Sequence, residues 1–299
     1  MIYHQVLQNM EIYLRGECGI SLCVGVCNFG TICNNNIVYY AHHTISISLS
    51  FPASPQLPSL CAGDPGQKDQ VGPELGFGWA VGGEAFVNSS EDINDDKVLI
   101  IKVAWGGKSL SVDFRPPSSG GKQGPYYTSV IENIKHTMSN IKQIFPDEGL
   151  ADRLAVLSGF AWHQGWNDGC NETMATEYET NLANLIRDVR KDLNTPDLPF
   201  AIASTGMEGY SKQPERRDNV INAELKVATH PEFKGTVTSI DTRPFARGAA
   251  PASPTNFDYH WMCNAESYWL IGQSLGKAMV DLVNEREQRY ITSVSTADS

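Results

Sequence analysis

The sequence lacks an excess of basic residues. Its 299 residues include 23 lysines and arginines against 34 aspartates and glutamates, so the net charge at pH 7 is -11. A chain of this sign has little electrostatic attraction for nucleic-acid backbones or anionic lipid headgroups. The charge balance therefore argues against nucleic acid or a membrane surface as a partner, and it favours a neutral or cationic substrate.

Long apolar segments are also missing. No run approaches the roughly 20 residues of a membrane-spanning helix, and residues 1–15 lack the basic-then-apolar order of a signal peptide. The sequence leaves the compartment open. Two sequons, at Asn88 and Asn171, would permit glycosylation if the protein enters a secretory route.

The cysteines lack the spacing of a metal site. Seven are present, and none belongs to the paired C-x-x-C units that bind zinc. An odd total leaves at least one thiol without a disulfide partner. We therefore expect no metal.

Two enzyme signatures are absent as well. The G-x-S-x-G elbow of one large class of serine hydrolases does not occur. The glycines of residues 76–82 come near the dinucleotide-binding fingerprint, but Gly72 and Pro73 stand where the preceding strand should lie. Support for a nicotinamide-dependent enzyme is therefore weak.

The most informative stretch that is present is LAVLSGFAWHQGWNDG at residues 154–169. It begins with an apolar run that has no helical spacing, which predicts a strand buried on both faces of a parallel sheet. A polar cluster follows at the carboxyl end, where open α/β sheets bind ligands. Gln164 and Asn167 offer amide donors for a developing negative charge, and Gly165 allows close approach of a substrate. The alternative is a polar loop that only caps the strand.

Strands and helices alternate along most of the chain. The predicted strands of this part are residues 97–105, 154–161, 198–204 and 236–240. The last helix is predicted over residues 264–283. This order predicts one three-layer α/β/α domain around a mainly parallel sheet over residues 71–285. Residues 1–70 are expected to be irregular and to supply the first strand, and residues 286–299 to form a disordered tail.

Polar or glycine-rich loops that suit acyl transfer follow several of these strands, with Gly107 after one strand and Asn167 after another. Asp258 and His260 lie further downstream, just ahead of the last helix. In acyl transfer a histidine acts as general base while donors from separate loops hold the oxyanion. For His260 alone, a hydrogen-bonded structural histidine is the alternative.

Several motifs resemble those of the SGNH hydrolases. GWND at residues 165–168 matches the Gly-x-Asn-Asp block of that superfamily, and WHQG before it is similar to the sialate O-acetylesterase, or carbohydrate esterase family 6-like, branch. Four further segments also resemble that branch and occur in its order along the chain: GPELGFG at 72–78, AWGGKSL at 104–110, DFRPP at 113–117, and YH at 259–260 with NAE at 264–266.

The resemblance implies a five-stranded, flavodoxin-like sheet and a carboxylic ester hydrolase that removes O-acetyl groups from sugars through an acyl-enzyme. It implies no metal or organic cofactor, and an acetylated carbohydrate as the partner. Position by position, it implies that Gly107 and Asn167 donate to the oxyanion and that His260 is the base. Residues of the matching motifs that are candidates for substrate binding are His163, Gln164 and Arg115.

The nucleophile departs from the family pattern. The family's strand followed by Gly-Gln-Ser-Asn-Met does not occur, and the nearest match, GVCNF at residues 25–29, has Cys27 at the serine position. A thiol could accept the acyl group if His260 or a helix N-terminus lowered its pKa. The alternative is that Cys27 is only a small buried residue.

The acid departs from the pattern too. The family's acid stands three residues before the histidine, where this chain has Phe257. Asp258 is two residues before His260, and Asp241 is a second candidate if its loop folds back. Either aspartate would orient the base.

The flavodoxin-like order places the first strand inside the sheet. Without that strand, its two neighbours would expose long unpaired edges. Residues 20–26 are predicted to fill the position, with residues 44–51 in reserve.

A binding protein is the main rival interpretation. The scaffold and a carbohydrate pocket would persist while the nucleophile had been lost. Trp162, Trp166 and Tyr126 could then offer ring faces to sugars, although aromatic residues beside strands more often pack in the core.

Overall fold

A five-stranded parallel sheet organises the protein. The computed structural model describes residues 20–27, 36–41, 45–50, 72–83, 97–103, 105–144 and 155–297. Its strands are β1 (Ile20–Cys27), β2 (Asn36–Ala41), β3 (Ile45–Ser50), β4 (Lys97–Val103), β5 (Ala155–His163), β6 (Phe200–Ala203) and β7 (Val237–Ile240). The sheet order is β4-β1-β5-β6-β7, and all four strand pairs are parallel. This arrangement confirms the flavodoxin-like order.

The amino-terminal region supplies the interior strand, as predicted. β1 covers the predicted residues 20–26 and lies between β4 and β5. The reserve candidate, residues 44–51, contains β3, which pairs antiparallel with β2 in a separate hairpin. The run ISLCVGVC has the β-branched and apolar composition of a strand with neighbours on both sides.

Helices cover both faces of the sheet and complete the three layers. They are α1 (Pro73–Gly83), α2 (Pro125–Ile144), α3 (Glu172–Asp192), α4 (Glu215–Val227) and α5 (Ala265–Ala297). One core cluster joins α2, α3 and α4 to one face, and a second joins α1 and α5 to the other. Successive side chains of β4 point to opposite faces of the sheet. Leu99 and Ile101 therefore belong to the first cluster, and Val98 and Ile100 belong to the second.

Residue types at the ends of the helices explain where they begin. α2 begins at a proline, whose missing N–H costs nothing in the first turn. α3 follows Asn171, whose side chain accepts a hydrogen bond from the Met174 N–H at 3.1 Å. Among the described residues, no helix combines the length and the apolar character that crossing a bilayer requires.

α5 is longer than the sequence analysis predicted. It continues to Ala297, so residues 286–297 are helical and not a disordered tail. The segment around residues 285–289 consists of strong helix formers, and Glu285 pairs with Arg289 one turn later at 3.6 Å. Local helix propensity therefore extends the helix beyond the apolar positions that predicted it.

Close contact between α1 and α5 depends on glycine. A Cβ at Gly272 would overlap the Pro73 carbonyl and would lie 2.8 Å from the Phe77 nitrogen. A Cβ at Gly276 would lie 2.8 Å from the Phe77 carbonyl oxygen. Because these contacts are with backbone, rotation of a side chain cannot relieve them.

Gly272→Ala should therefore destabilise the protein by about 1–3 kcal/mol, the usual range for an overpacked contact. The melting temperature measured by circular dichroism tests this. Gly248→Ala is the matched control, because a Cβ there lies 3.9 Å from its nearest neighbour, the Ala252 Cβ. Equal melting temperatures for the two variants would contradict the packing described here.

Candidate active site

The carboxyl ends of three parallel strands meet at one rim of the sheet. In the register between β1 and β5, Cys27 is the partner of His163, the last residue of β5. Between β1 and β4, Val26 is the partner of Val103, the last residue of β4. The chain therefore leaves β4 and β5 on either side of the end of β1, at the rim where such sheets bind ligands.

Two buried side chains join the loops that follow β4 and β5. The Asp168 carboxylate accepts hydrogen bonds from the backbone N–H groups of Leu110 and Ser111, both at 2.9 Å. The Gln164 amide donates to the Lys108 carbonyl at 2.9 Å and to Asp168 at 2.7 Å. Gln164 is 1% exposed and Asp168 0%. We refer to these two side chains as the loop clamp.

The ionisation of the clamp follows from its surroundings. Burial raises the pKa of Asp168 to about 6, although hydrogen bonds from Gln164, Leu110 and Ser111 favour the carboxylate. Above that pH the group is a carboxylate that accepts from all three donors. The clamp is therefore complete at neutral pH.

The clamp brings the two predicted oxyanion donors onto neighbouring loops. Gly107 precedes Lys108 and has φ +64, a conformation that favours glycine. A Cβ at Gly107 would meet no atom within 4 Å. Asn167 precedes Asp168, is half-buried, and leads into the 3-10 turn Asp168–Cys170. Gly107 and Asn167 are thus each next in sequence to a residue that takes part in the hydrogen bonds of the clamp. Their roles as oxyanion donors stay predictions.

His260 begins an unusual turn at the same rim. It has φ +53, and the next three residues also have φ between +52 and +59. The His260 carbonyl accepts a hydrogen bond from the Tyr268 hydroxyl at 2.7 Å. The ring of Trp261 is buried, with its centroid 6.2 Å from that of His163. The residue after His260 thus contacts the end of β5.

A second contact connects this turn to the loop that holds Asn167. The Arg217 guanidinium of α4 lies 3.8 Å from the centroid of the Trp166 ring. The same guanidinium pairs with Asp258 at 3.8 Å and also with Glu208. The segments that contain Asp258 and Asn167 therefore lie close together. Sequence reasoning missed Arg217, since nothing in the pattern of α4 distinguishes it from a solvated basic residue.

The structure gives each candidate acid an arginine partner. Asp258 pairs with Arg217, and its side chain is 68% exposed. Asp241 accepts from Arg243 Nη2 at 2.7 Å and Nε at 2.9 Å. Burial would raise the pKa of Asp241, but the hydrogen bonds from Arg243 outweigh it and hold this pKa below its usual value. Asp241 is thus engaged by an arginine two residues away.

The three residues predicted to bind substrate are held by other parts of the protein. His163 is 1% exposed, its Nδ1–H donates to the Ala203 carbonyl at 2.9 Å, and burial lowers its pKa to about 4. Arg115 donates to the carbonyls of Ser111, Ser119 and Gly120 at 2.7–2.8 Å. For His163 and Gln164, burial favours a positioning role over direct contact with substrate. Arg115 holds the loop after β4, and substrate binding by it stays a prediction.

The proposed aromatic ring faces are also occupied. Trp162 is 0% exposed and donates from Nε1 to the Tyr178 hydroxyl at 3.2 Å, so it cannot contact a sugar. The Arg217 guanidinium occupies one face of the half-buried Trp166 ring. Tyr126 packs edge-on against Trp105, with centroids 4.6 Å apart. The rings of Phe257 and Tyr259, close to His260 in the sequence, are exposed, and the sequence analysis did not propose them as a surface for sugars.

Comparison with known families agrees with this arrangement. A family model described as carbohydrate esterase, sialic acid-specific acetylesterase, matches residues 52–281. The chain belongs to this carbohydrate esterase family. The match includes the loop clamp, the Arg217 contact and His260, and it confirms the resemblance inferred from the motifs. Comparison with curated protein sequences gave no match.

Solved structures extend the comparison of this family member to its fold. A crystal structure of a protein from Arabidopsis thaliana aligns over 87% of this chain and 97% of its own, with 17% identity and a TM-score of 0.52. A carbohydrate acetylesterase from Xanthomonas citri aligns over 87% of this chain and 55% of its own, with 14% identity and a TM-score of 0.49. This chain thus spans about half the length of the Xanthomonas enzyme. The Arabidopsis structure supports a shared fold.

Proposed function

We propose that this family member is a carbohydrate O-acetylesterase, which hydrolyses acetyl esters on sugars or polysaccharides through an acyl-enzyme. The observation that carries the proposal is the convergence at one rim. β1 ends there at Cys27, the loop clamp holds the segments of Gly107 and Asn167 together, and the turn after His260 contacts the end of β5. Acyl transfer requires a nucleophile, a base and oxyanion donors, and these segments contain the residues proposed for those roles.

In the proposed first step, the sulfur of Cys27 attacks the acetyl carbonyl while His260 accepts the thiol proton. The backbone N–H of Gly107 and the Asn167 amide donate to the oxyanion that forms. The bond between the carbonyl carbon and the sugar oxygen then breaks, and His260 returns the proton to that oxygen. The sugar leaves, and the acetyl group remains on Cys27 as a thioester.

In the second step, water attacks the thioester and His260 accepts its proton. The carbon–sulfur bond breaks, acetic acid leaves, and the thiol recovers its proton. Asp258 is the proposed acid partner of His260, although its exposure and its ion pair with Arg217 make that support weak. A thiol tolerates weak support better than a serine hydroxyl, because it ionises far more readily.

One observation favours a second candidate function, carbohydrate binding without hydrolysis. The rings of Phe257 and Tyr259 are stacked, with centroids 5.0 Å apart and planes within 7°, and the two side chains are 46% and 36% exposed. Stacked, exposed rings offer an apolar surface to the C–H face of a sugar. Such a surface would serve a binding protein as well as an enzyme.

Asn167→Ala should lower kcat on an aryl acetate by about 100-fold to 1000-fold, as expected for loss of one oxyanion donor. KM should change much less, because the donor acts on charge that develops in the transition state. Asn133→Ala is the control, since Asn133 lies on α2 and its amide donates to the Ser129 carbonyl of the same helix. A rate unchanged within error would exclude Asn167 as an oxyanion donor.

Cys27→Ala should abolish turnover of an aryl acetate and of an acetylated polysaccharide, because no sulfur remains to accept the acyl group. Cys170→Ala is the control, because it removes an exposed free thiol from the turn that follows Asn167. This substitution should leave both rates unchanged. Steady-state rates with equal amounts of folded protein measure the difference. Wild-type protein that binds the polysaccharide but turns over neither ester would support the binding function instead.

A further inference from the structure

A buried hydroxyl lies behind the loop clamp. The Tyr178 hydroxyl of α3 lies 2.5 Å from the Gln164 carbonyl oxygen and 3.0 Å from Gln164 Oε1. It also accepts a hydrogen bond from Trp162 Nε1 at 3.2 Å. Because Tyr178 is 0% exposed, its contacts are made entirely with the protein. This hydroxyl therefore fixes the backbone that leads from β5 toward Asn167.

A carboxyl group of α4 lies against the same hydroxyl. Glu224 is 0% exposed, and its Oε1 lies 3.4 Å from the Tyr178 oxygen. Its Oε2 accepts from the Thr205 N–H at 2.8 Å and lies 3.2 Å from the Thr205 hydroxyl. A Cβ at Gly165 would lie 2.7 Å from Glu224 Oε1, so the carboxyl group is directly below the loop.

Counting protons decides how Glu224 and Tyr178 can interact. A tyrosine hydroxyl has one proton. Both oxygens of Gln164 are acceptors closer to this hydroxyl than Glu224 is. With that proton directed to Gln164, an ionised Glu224 would leave two oxygens facing each other without a proton between them. A neutral Glu224 would instead supply the missing proton, and the tyrosine oxygen has room to accept it.

We propose that Glu224 is a neutral carboxylic acid in the folded protein and donates from Oε1 to the Tyr178 hydroxyl. Tyr178 in turn donates to Gln164 and so sets the position of the loop that contains Asn167. Glu224 and Tyr178 are then positioning residues for the proposed oxyanion site. Only the part of this inference that concerns catalysis rests on the proposed function.

The electrostatic surroundings favour the neutral form. The titratable groups that face Glu224 are Tyr178 from α3 and Asp168 from the turn after β5. Burial raises the pKa of Glu224 well above its usual value, and the negative charge of Asp168 raises it further against the hydrogen bonds from Thr205. A buried acid next to a carboxylate thus retains its proton.

The sign of the effect on stability follows from this raised pKa. Above about pH 4.5 the unfolded chain releases the Glu224 proton while the folded chain retains it. The stability due to Glu224 is therefore complete at lower pH and is lost as the pH rises toward the pKa of the folded state. Asp168 titrates in the wild type and in any Glu224 variant, so its contribution largely cancels in their difference.

Glu224→Gln should therefore gain stability relative to the wild type as the pH rises from about 5 to about 8. Glutamine has nearly the same shape and keeps a donor, but it cannot ionise. The difference in melting temperature should increase by at least about 2 °C for each pH unit. Melting curves of the full chain, recorded by circular dichroism in a pH series, measure this.

Glu232→Gln is the matched control, because its effect on stability should change with pH in the opposite direction. Glu232 is bound by Arg187, whose hydrogen bonds hold the pKa of this carboxyl below its usual value. Its replacement should cost stability near neutral pH and cost progressively less as the pH falls. A Glu224→Gln difference that stays constant within about 1 °C over the same pH range would overturn the proposal.

Kinetics on an aryl acetate test the positioning role. Glu224→Leu removes the donor and should lower kcat by about 10-fold to 100-fold, with KM nearly unchanged. Glu224→Gln should recover most of that loss, because its amide can still donate to Tyr178. Equal losses in the two variants would overturn the positioning role. If the wild type turns over no ester, the proposed function fails, and the pH series still decides whether Glu224 is neutral.

Discussion

The hydrogen bonds between the Asp168 carboxylate and the N–H groups of Leu110 and Ser111 join loops that are far apart in the sequence. Gln164 strengthens the connection because it donates to both Asp168 and Lys108. The sheet brings the ends of β4 and β5 to the same rim, but it does not fix the loops that follow them. The loop clamp does so, and the segments of Gly107 and Asn167 depend on it.

Burying a carboxylate at this position has a cost that its donors must offset. The burial that raises the pKa of Asp168 is opposed by three hydrogen bonds, two of them from backbone groups that would otherwise be buried without partners. Loss of the carboxylate would therefore leave unsatisfied donors on both loops. The polar layer continues through Gln164 to Tyr178 and Glu224, so α3 and α4 support the same rim.

Much of the fold could be predicted from the sequence, because apolar runs and helical periodicity follow directly from burial. The position of β1 followed from the need to pair the edges of its neighbours, and the end of α5 was missed because charged helix formers carry no apolar pattern. The rim was predictable from strand ends and motifs. The burial of Trp162 and Gln164 was not, since it depends on the packing of α3 against the loops. Glu224 and Arg217 lie in an ordinary amphipathic helix, and only their tertiary contacts distinguish them.

Hydrogen exchange at the amides of Leu110 and Ser111 tests the loop clamp most directly, and it needs no substrate. In the wild type both amides should exchange at rates comparable to those of core strands, although they lie in a loop. Asp168→Asn should accelerate both, because an asparagine cannot offer two acceptor oxygens to these N–H groups while it also accepts from Gln164. Fast exchange in the wild type, or rates that this substitution does not change, would contradict the account.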